Sequence, residues 1–294
     1  MRIAFFGLPL AALALLADGH ELAFAALSRK KLPGTRRLRR ALGAERVLVV
    51  PRVDASFAKR VSGCDLVVSW FWTKKLPLEV VRAAPFGGFG VHPSLLPRWR
   101  GPDPYFWAID AGDAVTGVTA HRLDAEYDTG ALLGSRTLAI DPAWSSWQLA
   151  RALDRPSLEL LREVAQAFAR GEPPVERAQD ERAVTLAPEP GDELLEVDWQ
   201  RPAALVIRRV RAAAPHPGAW TFIGEEAVVI TRAELAAAPR ALAPGEAAVI
   251  DGRAVVACGE GAVALLAGRR VDDRDEEHAI DASALAKLVQ SAQI

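Results

Sequence analysis

From Gly87 to Gly130 the chain reads GGFGVHPSLLPRWRGPDPYFWAIDAGDAVTGVTAHRLDAEYDTG, and here His92 and Asp128 are the pair whose types and spacing suit proton transfer. His92 follows an apolar run directly and sits on a loop stiffened by Pro93 and Pro97, which hold a side chain in place without a helix. Gly87, Gly88 and Gly90 flank Phe89 and allow backbone to approach a ligand closely. Thirty-six residues on, Asp128 precedes Thr129 and Gly130, after a strand-like run at 117–123 and a short loop. A carboxylate on a neighbouring loop fixes the tautomer of such a histidine and stabilises its imidazolium during proton transfer. At this level a plainer reading is equally open, in which His92 caps its loop and Asp128 ends a turn, each through local hydrogen bonds.

Something must hold the histidine where a ligand can reach it. Apolar runs at 3–6, 22–27, 47–50, 66–69 and 89–91 alternate with helical stretches, the pattern of a doubly wound, mostly parallel α/β sheet of Rossmann-like layout. Ligands bind such sheets at the carboxyl ends of the strands, and His92 follows the last of these runs. The first turn carries Gly7-Leu8-Pro9 and no G-x-G-x-x-G, so a dinucleotide cofactor is not expected. Arg2 and the apolar run up to Ala17 have the outline of a signal peptide. The reading adopted instead is a buried strand, a turn at Gly7 and a helix ending near Asp18 and Gly19, because the run at 22–27 follows at once. A long helix is expected over 145–169, with a kink or restart at Pro156. Residues 171–192, with Pro173, Pro174, Pro188 and Pro190, read as a linker. A helix at 202–213 and short runs at 228–231, 247–250, 254–257 and 262–266 then predict a small antiparallel β-barrel or curled sheet. The expected organisation is a catalytic domain at 1–170, a linker at 171–192 and an OB-like β-barrel domain at 193–294.

Composition narrows the function classes. Across 294 residues, 36 Lys and Arg face 37 Asp and Glu, a net charge of −1, so no global pull toward nucleic acid exists. From Glu189 onward the balance is 17 acidic to 11 basic residues, which argues against this part gripping RNA by itself. Arg29, Lys30, Lys31, Arg36, Arg37, Arg39 and Arg40 form one basic stretch. It reads either as a phosphate-contacting patch or, with no interleaved aromatics, as a solvated loop and helix face, and the second is preferred. Cys64 and Cys258 are the only cysteines, and the five histidines show no metal-binding spacing. No metal is expected, and a reducing cytoplasm fits the cysteine count. No later segment approaches the ~20 apolar residues of a membrane span, so no membrane partner is expected.

HPSLLPRWRG followed by GVTAHRLDAEYDTG closely resembles the formyltransferase family that takes a one-carbon unit from 10-formyltetrahydrofolate, methionyl-tRNA formyltransferase included. The resemblance spans nearly the whole chain. MRIAFFGLP is similar to the family's first strand and turn, and EVDWQRPAALVIRRVRAAAPHPGAWTFIGEEAVVI to the opening of its C-terminal domain. In that family an Asn two positions before the histidine, the histidine itself and the later Asp form the catalytic set. His92 and Asp128 match, whereas the Asn position is Gly90. The amide is thought to stabilise the developing oxyanion, and loss of one such donor costs on the order of 10²–10³ in rate. Three explanations stand: a replacement donor (a backbone N–H near Gly90, His121, Ser94 or a water), an acceptor that needs the room, or loss of transfer with binding retained.

The resemblance also implies 10-formyltetrahydrofolate as formyl donor, with Trp70, Phe71, Trp72, Leu76, Leu123 and Tyr127 toward the folate. From the residues alone, SWFWTKKLP at 69–77 is an aromatic run at a strand end and is more often core packing, with alternation sending Trp70 and Trp72 to one side and Phe71 to the other. Toward the acceptor it implies Ser94, Leu95, Arg98, Arg100, Gly101 and Tyr105. The implied activity is formyl transfer to a primary amine, methionyl-tRNA formyltransferase-like, with initiator methionyl-tRNA as acceptor. GPDPYFWAI and SWFW look more like relatives that formylate amino sugars or other small amines. A catalytically impaired binder of folate or nucleotide sugar is the third reading, on the strength of Gly90.

Overall fold

Apolar runs with no polar alternation are stable as strands only when helices cover both faces of the sheet they form. In the computed structural model, which describes residues 1–237, 242–271 and 276–292, these runs become β1 (Arg2–Gly7), β2 (Glu21–Leu27), β3 (Val47–Val49), β4 (Leu66–Trp70) and β5 (Gly88–His92). Helices α1 (Pro9–Ala17), α2 (Thr35–Leu42), α3 (Ala58–Val61) and α4 (Leu78–Arg82) lie between them. β6 (Val115–Arg122) and β7 (Leu132–Ala139) complete a seven-stranded sheet of order β3-β2-β1-β4-β5-β6-β7. The first five strands pair in parallel, and β6 and β7 add antiparallel edges. The winding reverses between β1 and β4, where α/β sheets open a crevice at their carboxyl ends. β5 lies beside β4, so its last residue, His92, reaches that end. The close approach of β1 and β4 depends on Gly7, where a Cβ would collide with the Trp70 carbonyl.

One face of this sheet packs an aromatic cluster. Phe6, fully buried, meets Phe24 edge-on at 5.6 Å and Trp72 at 5.7 Å between ring centroids, among Val67, Leu76 and Val80. On the opposite face Phe89 stacks on Phe168 of α6 (Ser146–Ala169) at 6.1 Å, and the Trp70 indole N–H donates to Ser157 Oγ at 2.8 Å. α6 continues through Pro156 as a single helix, without a restart there. A proline removes one backbone hydrogen bond, and buried Leu153, Leu160, Leu161 and Val164 hold the turns on either side of it. Residues 171–187 of the proline-rich stretch expected as a linker run along this first unit. Arg177 and Leu132 exchange backbone hydrogen bonds of 2.7 and 3.0 Å, and Ala187 N–H donates to Arg100 O at 2.7 Å.

The second unit gathers residues 105–114, 140–150 and 188–294. It holds α5 (Pro104–Ala111), α7 (Asp192–Leu195), α8 (Ala203–Ala213) and α9 (Ala282–Ala292). Its strands are β8 (Ala219–Ile223), β9 (Glu226–Ala236), β10 (Ala247–Ile250), β11 (Arg253–Ala257), β12 (Ala262–Val271) and β13 (Glu277–Asp281). They form a six-stranded antiparallel half-barrel, β10-β11-β12-β9-β8, with β13 beside the second half of β12 and β11 beside its first. A largely buried two-pronged ion pair, Arg209 to Asp110 at 2.7 and 3.0 Å, ties α8 to α5.

Phe6→Ala empties the centre of the aromatic cluster and is expected to cost about 3–5 kcal/mol of stability, read as a lowered urea midpoint with an unchanged slope.

Candidate active site

The loop after β5 is shaped by side chains that bond back to the sheet. Thr119 of β6, directly across from His92 in the β5–β6 register, donates its hydroxyl to Ser94 O at 2.7 Å and accepts Leu96 N–H at 3.1 Å. Ser94 Oγ donates to Arg98 O at 2.6 Å, closing the turn. Trp99 then adopts a left-handed conformation with φ 61°, which for a bulky residue costs on the order of 1 kcal/mol or more. Its carbonyl accepts the His92 Nε2–H at 2.8 Å. A carbonyl cannot donate, so the ring carries its proton on Nε2 and presents Nδ1 to the Asp128 carboxylate, 3.5 Å away at Oδ1. The tautomer of His92 is thus set by Trp99, and Asp128 is placed to stabilise the imidazolium.

Asp128 is itself over-determined. It too is left-handed, with φ 59°, and its Oδ2 accepts the Gly101 N–H at 2.9 Å. The Gln179 side-chain amide donates to Asp128 O at 2.7 Å and to Gly130 O at 2.8 Å. Gln179 Oε1 in turn accepts from Arg100 at 2.8 and 3.1 Å, and Arg100 also grips Glu181 at 2.7 and 3.1 Å. A glutamine from the 171–187 segment thereby clamps the turn that carries the carboxylate. His121 of β6 lies on the other side of Asp128, with Nε2 3.6 Å from Oδ1 and Nδ1 donating to Arg122 O at 2.9 Å. Burial holds the His121 proton affinity below its ordinary value against the opposing pull of Asp128.

Gly90 lies in β5, across from His121. A Cβ there would sit 3.4 Å from Leu123 Cδ2 and from Ser69 O, a tight but near-ordinary fit, so backbone geometry does not demand glycine at this position. The expected folate-side residues are split. Trp70 and Trp72 are both buried, and they lie on opposite faces, Trp70 against Ser157 and Trp72 against Phe6. The expected alternation fails because β4 ends at Trp70 and Phe71 turns left-handed, φ 52°. Leu76 is buried in the same cluster as Trp72. Phe71 is half-buried, Tyr127 is exposed, and Leu123 N–H is bonded to Gly88 O at 3.0 Å beside Gly90.

On the expected acceptor side, Ser94 and Arg100 are buried and spent on the fold, through Arg98 O and through Gln179 and Glu181. A buried guanidinium must satisfy its donors internally. Gly101 contributes its N–H to Asp128. Leu95 and Arg98 are half-buried on the loop, Arg98 lying 4.2 Å over the Trp99 ring, and Tyr105 belongs to α5 in the second unit. Sequence reasoning missed Gln179 altogether. No local pattern marks it, because its partner Asp128 is 51 residues away. Among the described residues no helix is long and apolar enough to cross a membrane, and no group of three or more His, Cys, Asp or Glu is arranged to hold a metal ion.

A doubly wound sheet with a carboxylate-paired histidine at the end of a central strand, followed by an antiparallel half-barrel, is an architecture that sequence comparison places within one family. Residues 40–165 match the profile described as "Formyl transferase", and residues 192–278 that described as "Formyl transferase, C-terminal domain". The chain belongs to the formyl transferase family and is an enzyme of formyl-group transfer. Among its relatives, the methionyl-tRNA formyltransferase of Phenylobacterium zucineum (strain HLK1) is 37% identical over 289 residues, 92% of each chain. That of Afipia carboxidovorans is 33% identical over 288 residues, 90% of each. Two solved structures share the fold. HypX from Aquifex aeolicus, in complex with tetrahydrofolic acid, gives a TM-score of 0.69 at 23% identity over 99% of this chain, which spans 48% of HypX. The Helicobacter canadensis N-formyltransferase, with folinic acid and dTDP-3-aminofucose, gives 0.69 at 11% identity over 90% of this chain and 98% of its own.

Gln179→Leu keeps the volume but leaves the Asp128 and Gly130 carbonyls without their donor. The expected result is a fall in formyl-transfer kcat of about 10–100-fold, as for other lost supporting bonds, with KM nearly unchanged.

Acid should weaken the fold through the buried histidines. Burial depresses the proton affinity of His20 as it does that of His121, so below about pH 6.5 the unfolded chain binds protons that the folded one refuses. Stability is expected to be full above that pH and to fall as the pH drops from 6.5 toward 5.5. His20→Gln should flatten this slope in urea titrations at the two pH values.

Proposed function

We propose that the chain transfers the formyl group of 10-formyltetrahydrofolate to a primary amine, with His92 and Asp128 as a proton-handling pair. The observation that carries this reading is the His92 Nδ1 to Asp128 Oδ1 contact of 3.5 Å, with the opposite ring nitrogen pinned to Trp99 O. The donor substrate supplies a formyl carbon already activated as an N-acyl group. His92 then takes or returns a proton through Nδ1, and Asp128 stabilises the charge that appears on the ring. Exposed Tyr127 and half-buried Phe71 and Leu123 supply apolar and aromatic surface that would suit a pterin, which supports this reading. Catalysis is assigned to the unit built on residues 1–170.

Initiator methionyl-tRNA is the first-choice acceptor. Identity of 33–37% to methionyl-tRNA formyltransferases over about nine-tenths of the chain supports it. So does the basic stretch: Arg29, Lys30, Lys31, Arg36, Arg37, Arg39 and Arg40 are all exposed, and none makes an ion pair among the described residues. Leu38 and Leu42 anchor α2 while its four arginines face out. A small amine such as an amino-sugar nucleotide is the second reading, supported by the 17 to 11 excess of acidic residues after residue 188. Gly90 supports a third, a binder whose transfer chemistry is impaired.

Incubation with 10-formyltetrahydrofolate and either charged initiator tRNA or an amino-sugar nucleotide, read by mass spectrometry, separates the three. His92→Ala and Asp128→Ala are each expected to lower transfer at least ~10²-fold. Near-normal turnover in both variants would remove the assignment. Reversing Arg36, Arg37, Arg39 and Arg40 to Glu should raise KM for tRNA and weaken its salt dependence, while leaving turnover of a small amine intact.

A further inference from the structure

Asp128 does not face one imidazole but two. Its Oδ1 lies 3.5 Å from His92 Nδ1 and 3.6 Å from His121 Nε2, and the two rings are 6.5 Å apart between centroids in a T-shaped arrangement. In the β5–β6 register His121 faces Gly90 and Thr119 faces His92, so His92 and His121 project from the same face of the sheet on adjacent strands. Gly90 places no side chain next to His121, which is therefore the polar member of that cross-strand pair.

The outer nitrogens decide the proton inventory. His92 Nε2 is bonded to Trp99 O at 2.8 Å and His121 Nδ1 to Arg122 O at 2.9 Å. Both partners are carbonyls, so both outer nitrogens carry hydrogen and both inner nitrogens are lone pairs when the rings are neutral. Asp128 Oδ1 sits between them, its sister oxygen being occupied by the Gly101 N–H. Three acceptors thus converge on one region. The arrangement is satisfied when one proton is shared by Asp128 and one ring, and the remaining ring then offers an open lone pair. The charged groups facing His121 are Asp128, His92 and Arg100, the last paired with Glu181. Burial favours keeping the proton off His121.

We propose that His121 is a second proton-handling residue of this site, accepting through Nε2 the proton that the attacking amine releases, while the His92–Asp128 pair returns its shared proton to the departing folate nitrogen. This rests on the formyl-transfer reading above. The bond between the amine nitrogen and the formyl carbon forms, the bond between that carbon and the folate nitrogen breaks, and the electron pair of the broken bond stays on the folate nitrogen, which gains one proton. The amine nitrogen loses one. The three-group cluster ends with the same proton count and resets by moving a proton from His121 to the His92–Asp128 pair across Oδ1. Two imidazoles on one carboxylate give the site an acid and a base at once, which a single histidine must provide in turn.

Two measurements test this. The first needs no substrate. In protein labelled with ¹⁵N-histidine, long-range ¹H–¹⁵N correlation spectra are expected to show His121 neutral with its proton on Nδ1 at pH 7, titrating below the ordinary value of about 6.5, and responding to Asp128→Asn. A proton on Nε2, or signals indifferent to Asp128→Asn, would overturn the cluster itself. The second is kinetic, with 10-formyltetrahydrofolate and whichever of initiator methionyl-tRNA or an amino-sugar nucleotide supports turnover. His121→Asn is expected to lower kcat by ~10²-fold or more, to leave KM for the folate within about threefold and to abolish the acid limb of the pH–rate profile. Wild-type kcat in this variant, or a loss that keeps the pH profile while the thermal midpoint drops, assigns His121 a structural role and sinks the proposal. His121→Phe, matched in volume, controls for packing by showing the same kinetic loss. If the unaltered protein transfers formyl to neither acceptor, the functional reading fails by itself, and the spectra still report on the cluster.

Discussion

The Asp128 carboxylate, largely withdrawn from water in a left-handed turn, is the constraint around which the first unit is arranged. A buried charge is tolerable only when hydrogen bonds and opposite charge replace its lost hydration. Here the Gly101 N–H donates to the carboxylate, the rings of His92 and His121 flank it where either can carry opposite charge, and the Gln179 amide fixes the backbone on either side. Each of these supports depends on something further out. Gln179 is oriented by Arg100, Arg100 by Glu181, and His92 by the strained Trp99 carbonyl. Removing any one of these leaves a polar group unmatched in a low-dielectric setting, where hydrogen bonds act cooperatively.

The sheet makes this arrangement possible through its one change of direction. β1 to β5 run parallel and bring their carboxyl ends to one side, which delivers His92. β6 then returns antiparallel to β5, so that His121 and Thr119 are presented beside Gly90 and His92. A parallel strand in that position would need a crossover and could not set these residues opposite one another in so short a span. Thr119 ties the histidine loop to the sheet, and His121 completes the cluster on Asp128. The same strand therefore serves both scaffold and site.

The second unit carries the other part of the family's pattern, with β12 serving as the shared partner of β9, β11 and β13. Its internal anchor is the buried Arg209–Asp110 pair, which works for the same reason as the Asp128 cluster: both prongs of the guanidinium are matched by both carboxylate oxygens. Membership in the formyl transferase family accounts for the two units together. The acceptor remains a matter of surface charge and pocket shape, which the family fold leaves free to vary.

Much of this was legible in the residues. Uninterrupted apolar runs have nowhere to go but a covered sheet, so the five parallel strands and their order of appearance could be read directly, and a histidine beside prolines after a glycine-rich strand end, with a later aspartate, pointed to the pair at the centre. What could not be read depends on where chains meet in space. The proline-rich stretch at 171–187 has the composition of a linker, but its backbone pairs with Leu132 and Arg100 and delivers Gln179 to Asp128. Arg100 stands in the motif with nothing local to mark its partner, and the fold encloses it against Glu181. Trp70 and Trp72 should share a side by alternation, yet one left-handed residue between them sends them to opposite faces. By itself the sequence determined the five parallel strands and which two residues could move a proton, since hydrophobic periodicity and side-chain chemistry are local properties. Only the tertiary structure decided how many imidazoles share the carboxylate and what holds it still, since hydrogen bonds between residues 27 to 51 positions apart exist only once the fold has brought them together.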